Sequence, residues 1–215
     1  LDYMPHRVDN ILTSTASAYE GLLKGNQVFQ STRFNERKEL FGKLATGQSP
    51  HSTLITCSDS RIDPCLITQS EPGDLFVIRN AGNMVPTLRD KGSSELASLQ
   101  FAVCVLETPH LIVCGHSDCG AMKACLKPEN VESLPYLAEW IQNGSELPGK
   151  VSEEAPDARL HATIGMNVRH QLEVLRSHAF IRERLDSGQL SLHGWVYDIG
   201  HGSIRELGPS SSDDR

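Results

Sequence analysis

Two five-residue segments concentrate the reactive side chains of this sequence: Cys57, Ser58, Asp59, Ser60, Arg61 and His116, Ser117, Asp118, Cys119, Gly120. Two thiolates and one imidazole make a soft to borderline donor set, which selects zinc over magnesium or calcium. Three such ligands, Cys57, His116 and Cys119, leave the fourth position of a tetrahedral ion free. Asp59, two residues past Cys57, has the reach to fill it in a closed state. Arg61, two residues further, carries the fork that holds a carboxylate away from a metal. The same residues admit a structural zinc shell of Cys57, Asp59, His116 and Cys119, or redox chemistry at Cys119 as a low-pKa thiolate at a helix N-terminus. Structural zinc sites favour sulfur and close ligand pairs at both ends, so a carboxylate contested by its own neighbour points to catalysis.

Each segment follows a run of apolar and β-branched residues, Thr53 to Thr56 before the first and Leu111 to Gly115 before the second. As parallel strands, these runs deliver both segments to the carboxyl edge of one sheet, where α/β proteins build their sites. Pro72, Gly73 and Asp74 turn into a further strand, Leu75 to Ile78, that stops at Arg79, Asn80, Ala81, Gly82, Asn83, of which Arg79, Asn80 and Asn83 read as turn and interface structure. Residues 16–45 are expected to be helical with a break at Gly25 and Asn26, and Ser93 or Ser94 to cap a helix reaching about Leu106. A helix should begin near Cys119 or Gly120, and a long amphipathic one should present Leu160, Ile164, Val168, Leu172 and Leu175. Residues 143–158 read as a loop, Leu190 to Val196 as a late strand and 210–215 as a frayed tail. Strands alternating with helices indicate an α/β fold, a mainly parallel central sheet flanked by helices.

At 215 residues the chain suits a single domain over 1–215, and 39% hydrophobic with 22% charged residues is ordinary for a globular protein. A net charge of −7 with scattered Lys and Arg argues against a nucleic-acid partner. No apolar run approaches the length of a membrane span. The six cysteines sit mostly inside apolar patterns, Cys104 and Cys114 as core, so a reducing, cytoplasmic compartment is expected. No secretory signal is visible at Leu1, and a leader removed upstream of it is compatible with the sequence.

The segments CSDSR and HSDCG, with PGDLFVIRNAGN between them, resemble the β-class carbonic anhydrases, and DPCLITQSEPGDLFVIRNAGN is nearest in wording to their cyanobacterial members. The resemblance extends from GNQVF at Gly25, through GQSP at Gly47, to HGWVYDI at His193. It implies zinc-dependent, reversible hydration of CO2 to bicarbonate and a proton. Zinc is implied on Cys57, His116 and Cys119, joined by Asp59 in a closed state, with Asp59 and Arg61 as a catalytic dyad. Gln48 and the backbone N–H of Gly120 are implied as hydrogen-bond donors to substrate, and Ala81 and Phe101 as pocket walls. Phe101 replaces a common tyrosine and also reads as a core residue. Residues 1–45 are implied as a helical arm packing on a partner subunit, in a homodimer or larger homo-oligomer. Some members carry a bicarbonate-regulated pocket with a tryptophan three residues before the first zinc cysteine; Leu54 stands there, so Arg79 and Tyr197 are expected to lack that role. Two alternatives stand beside CO2 hydration: a relative of the same fold that hydrolyses CS2 or COS, and a zinc-stabilised binding module without turnover.

Overall fold

The computed structural model describes residues 15–87, 93–152 and 154–208, so the expected tail at 210–215 lies outside the described residues. The chain divides into two units, Leu1–Gln48 and Ser49–Arg215.

In the first unit, α1 (Thr15–Ser31), α2 (Arg33–Glu36) and α3 (Lys38–Leu44) follow one another. The expected break at Gly25 and Asn26 is absent, because a Cβ at Gly25 meets nothing and an exposed helical glycine costs only about 1 kcal/mol. The interruption comes at Thr32 instead. Ser31 Oγ and Thr32 Oγ1 donate back to the carbonyls of Gln27 and Val28, in competition with the backbone ladder. Phe29, Phe34 and Phe41 pack ring to ring at 5.0–6.0 Å between centroids. Tyr19, Leu22, Leu23 and Val28 on α1 are 56–74% exposed.

The second unit is built on a five-stranded sheet in the order β2-β1-β3-β4-β5. Its strands are β1 (Ser52–Cys57), β2 (Leu75–Asn80), β3 (His110–His116), β4 (Ser191–Asp198) and β5 (Ser203–Leu207). The first four are parallel and β5 returns antiparallel along β4. The chain leaves β1 toward β2 and crosses back to β3, so the strand order reverses between β1 and β3, the place where such sheets hold ligands at their carboxyl ends. Every residue of β1 is buried, as expected for a strand covered on both faces.

The long helix α8 (Pro156–Ser177) packs beneath β3 and β4, burying Ile164, Val168, Leu172 and Leu175 as the periodicity predicts. Two glycines let it approach. A Cβ at Gly115 would lie 2.8 Å from Val168, and one at Gly194 would lie 3.0 Å from both Leu172 and Val168. The short helices α4 (Pro64–Thr68), α7 (Pro135–Trp140) and α9 (Ala179–Asp186), like β5, have no counterpart in the sequence reading.

Two core expectations are corrected. The helix α5 (Ser94–Gln100), capped by Ser93, does not continue regularly to Leu106 but passes at Phe101 into a π-helical turn, Phe101–Val105. Its widened turn puts Ala102 and Val103 into the core and leaves Phe101 42% exposed and Cys104 on the surface. Cys114, in the middle of β3, is buried as expected.

Candidate metal centre

Strand register builds the centre. Cys57 ends β1 and His116 ends the adjacent β3, while Cys119 caps the helix α6 (Gly120–Leu126) that leaves the same edge. The ligating atoms of Cys57, His116 and Cys119 lie within 4.8 Å of one another, and all three residues are buried. Zn–S bonds near 2.3 Å and Zn–N bonds near 2.0 Å set tetrahedral ligand atoms roughly 3.5 Å apart, so small side-chain adjustments bring the trio onto one ion.

The imidazole tests the fit. His116 is fully buried, and its Nδ1 faces the Ser117 carbonyl at 2.9 Å, which assigns the proton to Nδ1. Nε2 then carries a lone pair, is buried, and has no hydrogen-bond partner. An orphaned acceptor is costly in the interior, and with its other nitrogen pinned to a carbonyl it is oriented as metal-binding histidines are.

The thiols are tuned unequally. A hydrogen bond from the Cys119 thiol holds Cys57 well below the ordinary thiol value against the opposing effect of burial, with help from the backbone N–H groups of Gly82 and Asp59. The same bond to Cys57, then burial, pushes Cys119 far up, while the N–H groups of Met122 and Ala121 in α6 pull the other way. Two thiols at this spacing thus share one proton, and a divalent cation takes its place by stabilising both thiolates.

Asp59 turns back over the cluster. Its Oδ1 accepts from Arg61 N at 3.0 Å and Nε at 2.9 Å, and Oδ2 accepts from Nη2 at 2.7 Å. Hydrogen bonds from Arg61 outweigh burial and hold the Asp59 carboxyl at about 2. Oδ2 lies 3.9 Å from His116 Nε2, next to the metal position but committed to the arginine fork.

A family model described as carbonic anhydrase matches residues 52–204. The chain is 44% identical over 193 residues to a carbonic anhydrase of Pseudomonas aeruginosa, covering 88% of each protein. It is 39% identical over 198 residues to a carbonic anhydrase of Synechococcus elongatus, covering 90% of this chain and 73% of that protein. A solved β-carbonic anhydrase, CcaA, superposes with a TM-score of 0.85 at 40% identity, over 88% of this chain and 94% of its own. The chain is a β-carbonic anhydrase. It catalyses the reversible hydration of CO2 with zinc as cofactor, and the two alternative readings find no support among these relatives.

Around this β-carbonic anhydrase centre the structure distributes the expected residues unevenly. Gly120 opens α6, so its N–H is free of the helix ladder. Ala81 sits in the loop after β2, where its carbonyl accepts from Trp140 Nε1 at 2.8 Å and its neighbour Gly82 donates to Cys57 Sγ at 3.4 Å. Phe101 does not join them in this chain. It packs on Phe76, four residues before Asn80 on β2, at 6.1 Å between ring centroids. Gln48 is the exposed last residue of the first unit.

The supporting residues include Arg79 and Asn80, expected as turn and interface structure, and Asn167 and Gln171, which had no assigned role. Arg79 donates to the carbonyls of Cys57 and Asp59, at 3.1 and 2.8 Å, and so fixes the loop that carries the dyad. Asn80 closes the next loop by exchanging amide hydrogen bonds of 2.8 Å with the backbone of Met84. From α8, Asn167 Nδ2 donates to the Gly82 carbonyl at 2.9 Å, and Gln171 bridges Asn167 to the N–H of Val85. The available signal was an Asn and a Gln at i and i+4 flanking an apolar helix stripe.

Proposed function

We propose that Cys57, His116 and Cys119 hold the zinc and that Asp59, oriented by Arg61, is the residue that aligns the attacking hydroxide in CO2 hydration. Zinc, when bound, supplies the acidity that makes hydroxide from water near neutral pH. The observation that carries the reading is the orphaned, buried Nε2 of His116 beside two buried thiols, with the Asp59 carboxylate 3.9 Å away.

Asp59 remains ionised across the working range, so it acts as a hydrogen-bond acceptor and not as an acid. By accepting a hydrogen bond from the hydroxide, the Asp59 carboxylate would leave a lone pair facing the CO2 carbon. The N–H of Gly120 donates to the oxygen on which charge develops. Ala81 supplies apolar wall. For Asp59 to ligate the metal through Oδ2, in a closed state, that oxygen competes with the 2.7 Å hydrogen bond from Arg61 Nη2.

The same reading extends to assembly. The exposed apolar residues of α1 suit burial against a second copy, and one of the solved relatives is described as a pair of tetrameric β-carbonic anhydrases from Sordaria macrospora. Phe101, exposed and packed on Phe76, serves as a pocket wall of a neighbouring subunit. Six free cysteines suit a reducing, cytoplasmic compartment, and no described helix is long and apolar enough to cross a membrane.

Stopped-flow CO2 hydration on zinc-loaded protein, paired with metal analysis, tests the assignment. Asp59→Ala is expected to keep its zinc and lose at least tenfold in kcat/KM, whereas His116→Ala is expected to lose the metal and the activity together. Full zinc content in His116→Ala refutes the ligand set.

A further inference from the structure

Arg61 is gripped from two sides. Its Nε and Nη2 hold Asp59, while Nη1 donates to Asp118 Oδ2 at 2.9 Å and Nη2 also reaches the Asp118 carbonyl at 3.3 Å. The other carboxylate oxygen of Asp118, Oδ1, pairs with Lys123 Nζ from α6. Lys123, Asp118, Arg61 and Asp59 therefore form a chain of alternating charge that ends beside His116 Nε2.

The two grips differ in what they fix. Asp59 and Arg61 stand two residues apart in one loop, so each can hold the other while the pair swings as a unit. Asp118 lies 57 residues further along, between the metal-binding His116 and Cys119, and ties that pair to the second ligand loop. Its loop is itself anchored: Ser117 N donates to the Tyr197 carbonyl, and Ile199 N donates to Ser117 Oγ, both at 2.9 Å. Asp118 adopts a left-handed φ of +58°, a conformation that Asp and Asn tolerate better than other non-glycine residues.

We propose that Asp118, braced by Lys123, is a positioning residue that sets where Arg61 holds Asp59 over the metal cluster. It acts through Arg61 and touches neither substrate nor metal. The inference rests on the proposed role of Asp59, and Asp59→Ala checks that role separately.

The test uses zinc-loaded Asp118→Gly, Asp118→Asn and Lys123→Met. Glycine keeps the left-handed φ and deletes the carboxylate. Asparagine tolerates the same φ and keeps one oxygen for Arg61 Nη1. The expected kcat/KM for CO2 hydration falls about tenfold in Asp118→Gly and by less than threefold in Asp118→Asn, with Lys123→Met between them and one zinc per chain throughout. Placed on Asp59→Ala, the glycine change is expected to cost nothing more, since residues acting through one unit are non-additive. A crystal structure of Asp118→Gly supplies a readout independent of activity: the Arg61 fork leaves Asp59, or Asp59 Oδ2 moves from its 3.9 Å separation to His116 Nε2. Wild-type kcat/KM in Asp118→Gly, a full tenfold loss repeated on Asp59→Ala, or an unmoved Arg61 overturns the positioning role. Wild-type kcat/KM in Asp59→Ala itself refutes the dyad, and the positioning role falls with it.

Discussion

Gly82→Ala probes how tightly the backbone is fitted around Cys57. A Cβ there would stand 2.8 Å from Ala121 Cβ, 3.1 Å from Met84 Cε and 3.2 Å from Met122 Cε. The methionine methyls can swing aside, but Ala121 has no rotamer and belongs to the first turn of α6, directly after Cys119. Gly82 also has φ +81°, where an L side chain adds about 1 kcal/mol of strain. Relieving the overlap by backbone movement costs roughly 1–3 kcal/mol. With a total of about 3 kcal/mol, and roughly 2–4 °C lost per kcal/mol in a chain of this size, the thermal midpoint should fall by about 6–12 °C. The same movement takes the Gly82 N–H off Cys57 Sγ, now 3.4 Å away, and loss of such a supporting contact typically weakens metal affinity by about 10–100-fold. Calorimetry on zinc-loaded protein and competition with a chelator measure the two effects. Gly165→Ala is the control: a Cβ there meets nothing within 4 Å, and alanine in mid-helix gains about 0.5–1 kcal/mol. If the Gly82 variant melts within 2 °C of wild type and keeps its zinc affinity, the close-packed loop is not what holds Cys57.

Cys119→Ser is expected to lose most of its zinc by metal analysis, because a neutral hydroxyl replaces a thiolate; full occupancy contradicts its place among the ligands. Asp59 has its carboxyl held at about 2 by Arg61, below its ordinary value near 3.9, so the pair stabilises fully above about pH 4 and loses that contribution as pH falls toward 2. Carboxyl NMR should accordingly show Asp59 still ionised near pH 3 and titrating nearer 4 in Arg61→Ala, and an ordinary wild-type midpoint counts against the fork. Light scattering should give at least twice the 23.6 kDa chain mass, and a stable, active monomer excludes the assembly proposed from α1.

The sheet was legible wherever local pattern and burial agree. β1, β3 after His110, and the α8 stripe from Ile164 to Leu175 are uniform and buried, so hydrophobic periodicity marks them. Signals failed where a long-range contact overrides a local preference. The π-helical turn at Phe101 arises in a stretch whose composition continues a normal helix, and it reverses the expected burial of Phe101 and Cys104. β5 was missed because Ser203 to Leu207 is mostly exposed and its one partner is β4. Gly25 looked like a breaker, yet the helix ends at Ser31 and Thr32, whose hydroxyls reach back to the preceding turn.

The metal cluster was legible for a different reason: its chemistry is carried by side-chain type, and each loop lies directly past a readable strand. Its support is not of that kind. Gly82, Arg79, Trp140, Asn167 and Gln171 act through backbone carbonyls and N–H groups, so each looks like ordinary turn or helix sequence until the fold brings it to Cys57 or to the loop that touches it. A buried thiolate needs several donors to offset its desolvation, and rigid backbone supplies them without exposing the site to water. That requirement explains why the polar pair Asn167 and Gln171 lies buried in a helix otherwise selected for apolar contact. Removing one amide leaves the Gly82 carbonyl or the Val85 N–H unsatisfied in the interior, so the cost of such a change reaches the metal centre through the backbone.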